Sequence, residues 1–176
     1  MIVLNGTSSS GKSGIARCLQ AILPDPWIVL GIDTLIRALP VASVPSPVSA
    51  TGLAFAADGT VVIDPVFQRL EVALSAGIAA MVTAGALVIV DDVFLRGAAS
   101  QQRWQRALDG LEVLWIGVRC EVAVAAGREL ARGDRVPGLA ASQAEVVHLG
   151  VSYDLQVDTT RAEALECARA IAARLR

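Results

Sequence analysis

Residues 6–13 read Gly-Thr-Ser-Ser-Ser-Gly-Lys-Ser, and these types at this spacing could bind the phosphates of a nucleotide. The two glycines allow backbone angles that turn successive N–H groups towards a phosphate, and a following helix N-terminus adds partial positive charge. The lysine can reach the β- and γ-phosphates, and the last serine can bind Mg²⁺. The alternative is a Ser/Gly-rich turn with an incidental lysine. Because the flanks read as strand and helix, the pattern predicts a phosphate-binding loop for a nucleoside triphosphate.

Two aspartates follow the apolar run 87–90 and are candidates for organising the metal. Besides the serine, a phosphate-binding loop needs a carboxylate for Mg²⁺ at the end of a neighbouring strand. Asp91 is the better candidate, holding Mg²⁺ through water, whereas Asp92 could face substrate or cap the next turn. Both could also be plain turn residues. With the loop present, we favour a metal site of Ser13 and Asp91.

Asp33 follows a second strand-like run, 27–32, and so should face the same crevice, because ligands bind outside the carboxyl ends of parallel strands. A carboxylate there could accept the proton of a substrate hydroxyl that attacks the γ-phosphorus. The alternative is an N-cap for a helix over 34–39, since aspartate favours that position. Spacing alone does not decide between the two.

An arginine-rich segment broken by glycine contains Arg128, Arg132 and Arg135. The first two lie four residues apart, so they share one helical face. Arginine forks suit the oxygens of a phosphoryl group in transit, and we expect a lid over the nucleotide at about 127–138. The alternative is a solvated helix face on which Glu129 and Asp134 are salt-bridge partners.

Strand-like and helix-like segments alternate along the chain, which predicts one α/β domain over 1–176 with a central parallel sheet flanked by helices. The strand candidates are 2–5, 27–31, 86–90, 111–119 and about 154–157. The helix candidates are 12–23, 33–39, 64–84, 100–109, 121–132, 138–149 and 160–175, with Asp64 and Ser100 as N-caps and Pro65 at a first helical position.

Residues 40–63 interrupt the alternation. The first part is proline-rich and predicts an irregular loop, and the second has apolar arms around Asp58-Gly59, which is typical of a tight hairpin. This insertion is either a substrate lid near the acceptor pocket or a solvent-exposed excursion. Residues 72–90 carry no charge over 19 positions, and we interpret them as a buried helix followed by a central strand rather than a membrane span.

The composition excludes several classes of protein. A net charge of −2 with dispersed basic residues gives no reason to expect a nucleic-acid partner. Lys12 is the only lysine, so the guanine-reading Asn-Lys-x-Asp element of a GTPase is absent, and the loop spacing differs from that of a dinucleotide-binding fold. Three scattered cysteines suit reduced thiols in a cytoplasmic protein, and His148 has no partners for a zinc site. The oligomeric state is left open, a homo-oligomer included.

In these residues and their order, the chain resembles the chloramphenicol phosphotransferase family over nearly its whole length. The stretches that carry the resemblance are Ile2 to Gln20, Gly31 to Ile36, Asp91 to Leu95, Val113 to Cys120, Ala131 to Val136 and Val157 to Thr160. The resemblance implies a three-layer P-loop kinase fold with an arginine-bearing lid, ATP and Mg²⁺ as cofactors, and phosphoryl transfer to a primary hydroxyl of chloramphenicol.

The resemblance also implies roles for individual residues. The base of the family falls on Asp33 and favours the catalytic alternative there, the loop lysine and serine fall on Lys12 and Ser13, and the lid arginines fall in the segment that ends at Arg135. We expect Asp33, Lys12, Arg132 and Arg135 to be catalytic. The expected nucleotide-binding residues are Gly6, Thr7, Ser8, Ser9, Ser10, Gly11, Lys12, Ser13, Gly14, Arg128 and Arg132. Two other hypotheses stay open, a kinase for a sugar or nucleoside hydroxyl and a nucleotide-dependent switch.

Overall fold

The computed structural model describes residues 1–39, 53–55, 61–133 and 137–175. Apart from one pair of strands and one pair of helices that follow each other directly, strands and helices alternate through these residues, as the sequence predicts. In chain order the elements are β1 (Ile2–Asn5), α1 (Lys12–Ile22), β2 (Trp27–Gly31), α2 (Ile32–Ala38), β3 (Leu53–Phe55), β4 (Val61–Ile63), α3 (Pro65–Thr83), β5 (Leu87–Asp92), α4 (Ala98–Ala107), β6 (Leu114–Arg119), α5 (Val122–Arg132), α6 (Leu139–Ala144), β7 (Leu155–Asp158) and α7 (Ala164–Ala172).

Five strands form one sheet in the order β2-β5-β1-β6-β7, and every neighbouring pair is parallel. The central strand is β1, and the chain after it runs first to β2 on one side and later to β6 on the other. That reversal opens a crevice at the carboxyl end of β1, where ligands bind in open α/β sheets.

Alternation along β1 divides the core into two layers, one on each face of the sheet. Ile2 and Leu4 pack with apolar side chains of α1 and α7, whereas Val3 packs on the opposite face with residues of α3 and α4. The largest buried side chain on that second face is Trp104. Helices therefore cover both faces of a parallel sheet, and the predicted three-layer α/β architecture is confirmed.

Strand register brings the candidate residues to one edge. Asp91 of β5 is the register partner of Gly31 in β2 and of Leu4 in β1. Gly31 is needed there, because a Cβ atom at this position would lie 1.9 Å from the Asp91 carbonyl oxygen. The loop after β1, the start of α2 after β2 and the end of β5 consequently meet at the same edge of the sheet.

Several element boundaries differ from the prediction. Strand β5 runs to Asp92, so both aspartates lie in the strand instead of after it. Ser100 is not an N-cap, because α4 begins at Ala98 after Gly97, and the Ser100 hydroxyl accepts a hydrogen bond from the Arg96 N–H inside the first turn. Asp64 does cap α3, with its side chain accepting from two backbone N–H groups. Helix α6 ends earlier than predicted, at Ala144.

Helix α3 is less covered than the predicted buried helix. Only 22% of its most apolar 18-residue stretch is buried, because one face packs on the protein while Val66 and Val72 remain exposed on the other. Among the described residues it is the one helix that is long and apolar enough to cross a membrane, by length and composition only, and core helices pass the same test. Its buried face includes Glu71, which pairs with Arg103.

Strands β3 and β4 form a separate antiparallel pair in which Leu53 lies opposite Ile63 and Phe55 opposite Val61. The Asp58-Gly59 turn predicted between the two arms lies outside the described residues, as do residues 40–52 of the predicted irregular loop. Val61 of β4 lines the cleft described below, so one arm of the insertion borders it.

Candidate active site

The loop after β1 turns tightly on its way into α1. Gly11 adopts a left-handed φ of 92°, and Ser9, the one described residue other than glycine with a positive φ, adopts 57°. Positive φ in a serine is sterically unfavourable and is kept where surrounding structure enforces it. A Cβ atom at Gly6 would lie 2.5 Å from the Val118 carbonyl oxygen, so a side chain there would push the loop off β6. Both glycines of the motif are therefore required by the backbone.

The Lys12 side chain lies within the loop that precedes it. Its Nζ donates to the Gly6 carbonyl oxygen at 2.9 Å and to the Thr7 carbonyl oxygen at 2.7 Å, and it lies 4.0 Å from Asp91 Oδ1. Lys12 is 6% exposed, and it nevertheless lines the cleft. A buried ammonium group held by backbone carbonyl groups is a fixed positive charge at the mouth of the loop.

Ser13 and Asp91 are in direct contact. The Ser13 hydroxyl donates to Asp91 Oδ2 at 2.6 Å, which brings together the two oxygens assigned to the metal from sequence. Mg²⁺ prefers such hard oxygen ligands, and it takes few of them from the protein because phosphates and water supply the rest. Among the described residues no group of three or more His, Cys, Asp or Glu side chains could hold a metal. The Ser13–Asp91 pair fits Mg²⁺ in the presence of a nucleotide.

Asp33 lies in the first turn of α2, and the residue at the N-cap position of that helix is Gly31. The N-cap alternative for Asp33 is therefore wrong by position. Asp33 is partly buried and lines the same cleft as Lys12 and Asp91. The close packing of Gly31 against β5 sets the start of the helix and brings this carboxylate to the cleft.

Two of the three predicted lid arginines line the cleft, and the third, Arg135, lies outside the described residues. Arg128 donates to the Thr159 carbonyl oxygen at 2.7 Å, and the Thr159 hydroxyl donates to the Ser10 carbonyl oxygen at 2.6 Å. Helix α5 is thereby linked to the loop through Thr159. Arg132 lines the cleft from the last turn of α5. Thr159 belongs to a stretch that carries the family resemblance, but no chemistry in its type pointed to this contact.

Glu129 is not a surface salt-bridge partner, which corrects the alternative interpretation of α5. Its side chain is buried and accepts the backbone N–H groups of Gly138 at 2.7 Å and Ala140 at 2.8 Å, so it caps α6. Helix α6 in turn carries Gln143, whose Oε1 accepts the Ser8 N–H at 2.6 Å. Sequence reasoning missed both contacts: the cap by Glu129 spans only 9 and 11 residues but has no spacing signal, whereas the Gln143 contact joins segments 135 residues apart.

Asp92 does not face the cleft. It is 2% exposed, and its Oδ2 accepts Trp104 Nε1–H at 2.6 Å and lies 3.4 Å from Arg103 Nη2. Burial raises the pKa of the Asp92 carboxyl, and the adjacent Arg103 and Trp104 oppose that rise. The substrate-facing alternative for Asp92 is therefore wrong, and alternation along β5 directs it to the core while Asp91 is directed to the loop.

A polar network lies next to the loop and outside the lining of the cleft. Asn5 Nδ2 donates to the Tyr153 hydroxyl, which lies 2.6 Å from His148 Nδ1. Burial, followed by the positive charges of Arg119 and Lys12, lowers the pKa of His148 to about 4. The imidazole is therefore neutral at physiological pH, and it contributes a hydrogen bond to this network.

These residues surround one cleft of about 410 Å³. We call the loop half the lining contributed by the loop, the start of α1, the end of β5, α5 and α6, which is mostly polar: Ser8, Ser9, Ser10, Gly11, Lys12, Ser13, Gly14, Asp91, Arg128, Ala131, Arg132, Leu139 and Gln143. We call the apolar half the mainly apolar lining contributed by Ile32, Ile36, Val61, Phe67, Glu71, Val93 and Leu95. Asp33 also lines the cleft. The arrangement can hold a triphosphate at one end and a largely apolar molecule at the other.

Comparison with known proteins identifies the family. A model of chloramphenicol phosphotransferase-like proteins matches residues 1–176, the whole chain. The chain belongs to this family. It is also 33% identical over 182 aligned positions to a protein of Mycobacterium tuberculosis strain H37Rv named "Putative O-phosphotransferase", covering 96% of this chain and 79% of that protein. A protein of strain CDC 1551 with the same description matches equally well.

Solved structures of low sequence identity share the fold of this family member. A gluconokinase from Sinorhizobium meliloti has a TM-score of 0.63 at 20% identity, covering 99% of this chain and 91% of that one. A shikimate kinase from Acinetobacter baumannii has a TM-score of 0.61 at 13% identity, covering 99% and 91%. The fold is that of a P-loop kinase, and together with family membership it supports a small-molecule phosphotransferase.

Proposed function

We propose that this chain is an ATP- and Mg²⁺-dependent kinase that transfers the γ-phosphoryl group to a primary hydroxyl of chloramphenicol, with Asp33 as general base. One observation carries the proposal. Lys12 and the Ser13–Asp91 pair line the same cleft as Asp33, and an apolar half adjoins them. A nucleotide-dependent switch has no use for such a carboxylate beside an apolar cavity, so an acceptor that enters the apolar half is favoured.

The chain's own residues divide the reaction between them. Asp33 accepts the proton of the acceptor hydroxyl, whose oxygen forms a bond to the γ-phosphorus while the bond from that phosphorus to the bridging oxygen breaks and ADP leaves. Lys12 and Arg132 stabilise the negative charge on the phosphoryl oxygens in transit, and we assign the same role to Arg135. Arg128 positions α5 against the loop through Thr159.

Mg²⁺ fits beside Ser13 and Asp91, where it would supply positive charge to the phosphate oxygens. Ser13 contributes a neutral hydroxyl and Asp91 a carboxylate, in contact at 2.6 Å. Both side chains project from rigid elements, the first turn of α1 and the end of β5, so that they are held in place before any ligand enters.

The composition of the apolar half supports an acceptor with an apolar body. Ile36, Phe67 and Leu95 offer contacts to an aromatic ring, whereas a sugar would leave many hydroxyl groups opposite apolar side chains. Chloramphenicol has a nitrophenyl ring and a primary hydroxyl, and it satisfies both requirements. A sugar or nucleoside kinase remains the alternative, and an assay with each class of acceptor decides between the two functions.

The direct test is incubation with ATP, Mg²⁺ and chloramphenicol, followed by mass spectrometry of the drug. We expect a product heavier by one phosphoryl group, formed at the primary hydroxyl and accompanied by an equal amount of ADP. Acceptor-stimulated ADP formation with a sugar or nucleoside but not with chloramphenicol would overturn the acceptor assignment. Absence of any acceptor-stimulated ADP formation would favour the switch.

Replacement Asp33→Asn tests the general base. We expect kcat to fall by about 10²- to 10⁴-fold, because the amide cannot take the proton, while the Kd for ATP stays within about 2-fold. The matched control is Asp25→Asn, an exposed aspartate that precedes β2 at the opposite edge of the sheet. Wild-type turnover in Asp33→Asn would remove Asp33 from the mechanism.

A further inference from the structure

Glu71 is the one described acidic residue in the apolar half of the cleft. It projects from α3, and its side chain is 7% exposed. The other described residues of the apolar half are apolar. A buried charge in such surroundings is unfavourable unless it is paired, so its presence calls for a physical explanation.

Two arginines hold this carboxylate in one orientation. Arg96 Nη2 lies 2.9 Å from Glu71 Oε2, and Arg103 Nη1 lies 2.8 Å from Oε1. Arg103 also reaches Asp92 Oδ2 at 3.4 Å, so that two guanidinium groups balance two carboxylates. Burial raises the pKa of Glu71, and both arginines oppose that rise. The network is electrically neutral as a whole, and it fixes the Glu71 side chain.

The pairing leaves the carboxylate with unused capacity. An ionised carboxylate offers about four lone-pair sites, and within the described residues Glu71 accepts one hydrogen bond from each arginine. Glu71 also lines the cleft, so a ligand there would lie beside its side chain. Since the charges are already balanced, a neutral N–H or O–H donor fits this position better than a cation or an anion does.

We infer that Glu71 is a specificity-determining residue, whose carboxylate accepts a hydrogen bond from a neutral hydroxyl or amide N–H of the acceptor while the acceptor's apolar body packs on Phe67 and its neighbours. This inference rests on the proposed function, because it assigns the apolar half to the acceptor. The group recognised is a second donor, distinct from the hydroxyl that is phosphorylated. Chloramphenicol carries two such donors, a secondary hydroxyl and an amide N–H.

The experiment compares chloramphenicol with two analogues, one in which hydrogen replaces the secondary hydroxyl and one in which the amide nitrogen is methylated. We expect the wild-type kcat/KM to fall by about 10- to 100-fold for the analogue that lacks the recognised donor, because a buried acceptor is then left unpaired. In Glu71→Gln the ratio of kcat/KM for chloramphenicol to kcat/KM for that analogue should shrink by about 10-fold or more, and the KM for ATP should stay within about 2-fold of wild type.

The matched control is Arg96→Gln, which breaks one ion pair of Glu71 from a side chain outside the lining of the cleft. A purely structural role predicts that both variants lose stability and that kcat/KM changes by the same factor for all three substrates. Specificity predicts that Arg96→Gln, in which Arg103 still holds the carboxylate, keeps most of the discrimination and that Glu71→Gln loses it. Thermal unfolding of each variant reports folding, and Glu71→Asp, which keeps the charge and shortens the side chain, should fold and also discriminate less.

The possible failures can be told apart. If wild type phosphorylates chloramphenicol but Glu71→Gln and Glu71→Asp leave the ratios between substrates unchanged, the inference about Glu71 is overturned and the proposed function stands. Equal wild-type kcat/KM for all three compounds overturns it as well. If wild type transfers no phosphoryl group to any of the three compounds, the acceptor assignment and the inference fall together.

Discussion

The loop half and the apolar half of the cleft differ in how far apart in the sequence their residues lie. Most of the loop half comes from consecutive residues, Ser8 to Gly14, completed by Asp91 and by side chains of α5 and α6. The apolar half draws on α2, β4, α3 and the segment after β5. The loop half is also fixed by short polar contacts such as Lys12 to Thr7 at 2.7 Å, whereas the side chains of the apolar half are apolar except for Glu71.

This difference separates phosphate binding, which is a general task, from recognition of the acceptor, which is a specific one. Phosphate binding requires backbone N–H groups, one ammonium group and one metal site, and all of these except the Asp91 carboxylate can be encoded in one local stretch. Acceptor recognition depends on which side chains several elements bring together, and each element can vary independently. Variants in the two halves should therefore change different kinetic constants.

The largest effect is expected from Lys12→Ala in the loop half. The ammonium group is a fixed charge for the phosphates, so its removal should lower kcat by at least about 10³-fold for every acceptor. ADP formation measures the effect. Because Lys12 also holds the Gly6 and Thr7 carbonyl groups, thermal unfolding should be measured alongside, with Arg17→Ala on the exposed face of α1 as control. Turnover near the wild-type rate would refute the role of the loop.

Replacement Ser13→Ala is expected to act on the metal requirement. Without the hydroxyl that contacts Asp91, the Mg²⁺ concentration for half-maximal activity should rise by about 10- to 100-fold, with little change in the KM for chloramphenicol. A Mg²⁺ titration at saturating ATP measures it. Thr83→Ala removes a hydroxyl from the far end of α3 and is the control. A shift in acceptor KM alone would mean that the two halves are not separate.

Replacement Ile36→Ala in the apolar half should give the converse result. Loss of apolar contact should raise the KM for chloramphenicol by about 10-fold, while the KM for ATP and the Mg²⁺ requirement stay unchanged. Leu35→Ala, its neighbour on α2 outside the lining of the cleft, is the control. Equal changes in both KM values would contradict the division into halves.

Predictability from sequence follows the same division. The loop, the parallel sheet and the meeting of Asp33 with Asp91 could be predicted, because a local motif and alternation of strands and helices determine them. The inward orientation of Asp92 could not be settled, since it depends on where β5 ends. Glu71 was not singled out, because a lone glutamate on an apolar helix has no spacing signal. Its partners Arg96 and Arg103 lie beyond β5, and only the tertiary fold brings them together.

Gln143 was missed for the same reason. It lies in α6 and connects that helix to the loop half. Its Oε1 accepts the Ser8 N–H, one of the backbone donors that the loop offers to a phosphate. A phosphate that takes this donor must displace the amide oxygen. Helix α6, which carries Gln143, is capped by Glu129 of α5. Displacement of the Gln143 side chain would therefore also affect α5, the helix that carries Arg128 and Arg132.

Replacement Gln143→Ala should therefore give the smallest effect and one of opposite sign, a gain in nucleotide binding. A neutral hydrogen bond of this kind is worth about 1 kcal/mol net, so its absence should tighten the binding of Mg²⁺-ADP by about 3- to 10-fold. Isothermal titration calorimetry of wild type and variant measures the change. Gln105→Ala, on the exposed side of α4, is the control. Weaker binding in Gln143→Ala would instead mean that Gln143 holds Ser8 ready for the phosphate, and the loop half would then depend on α6 as the apolar half depends on its distant helices.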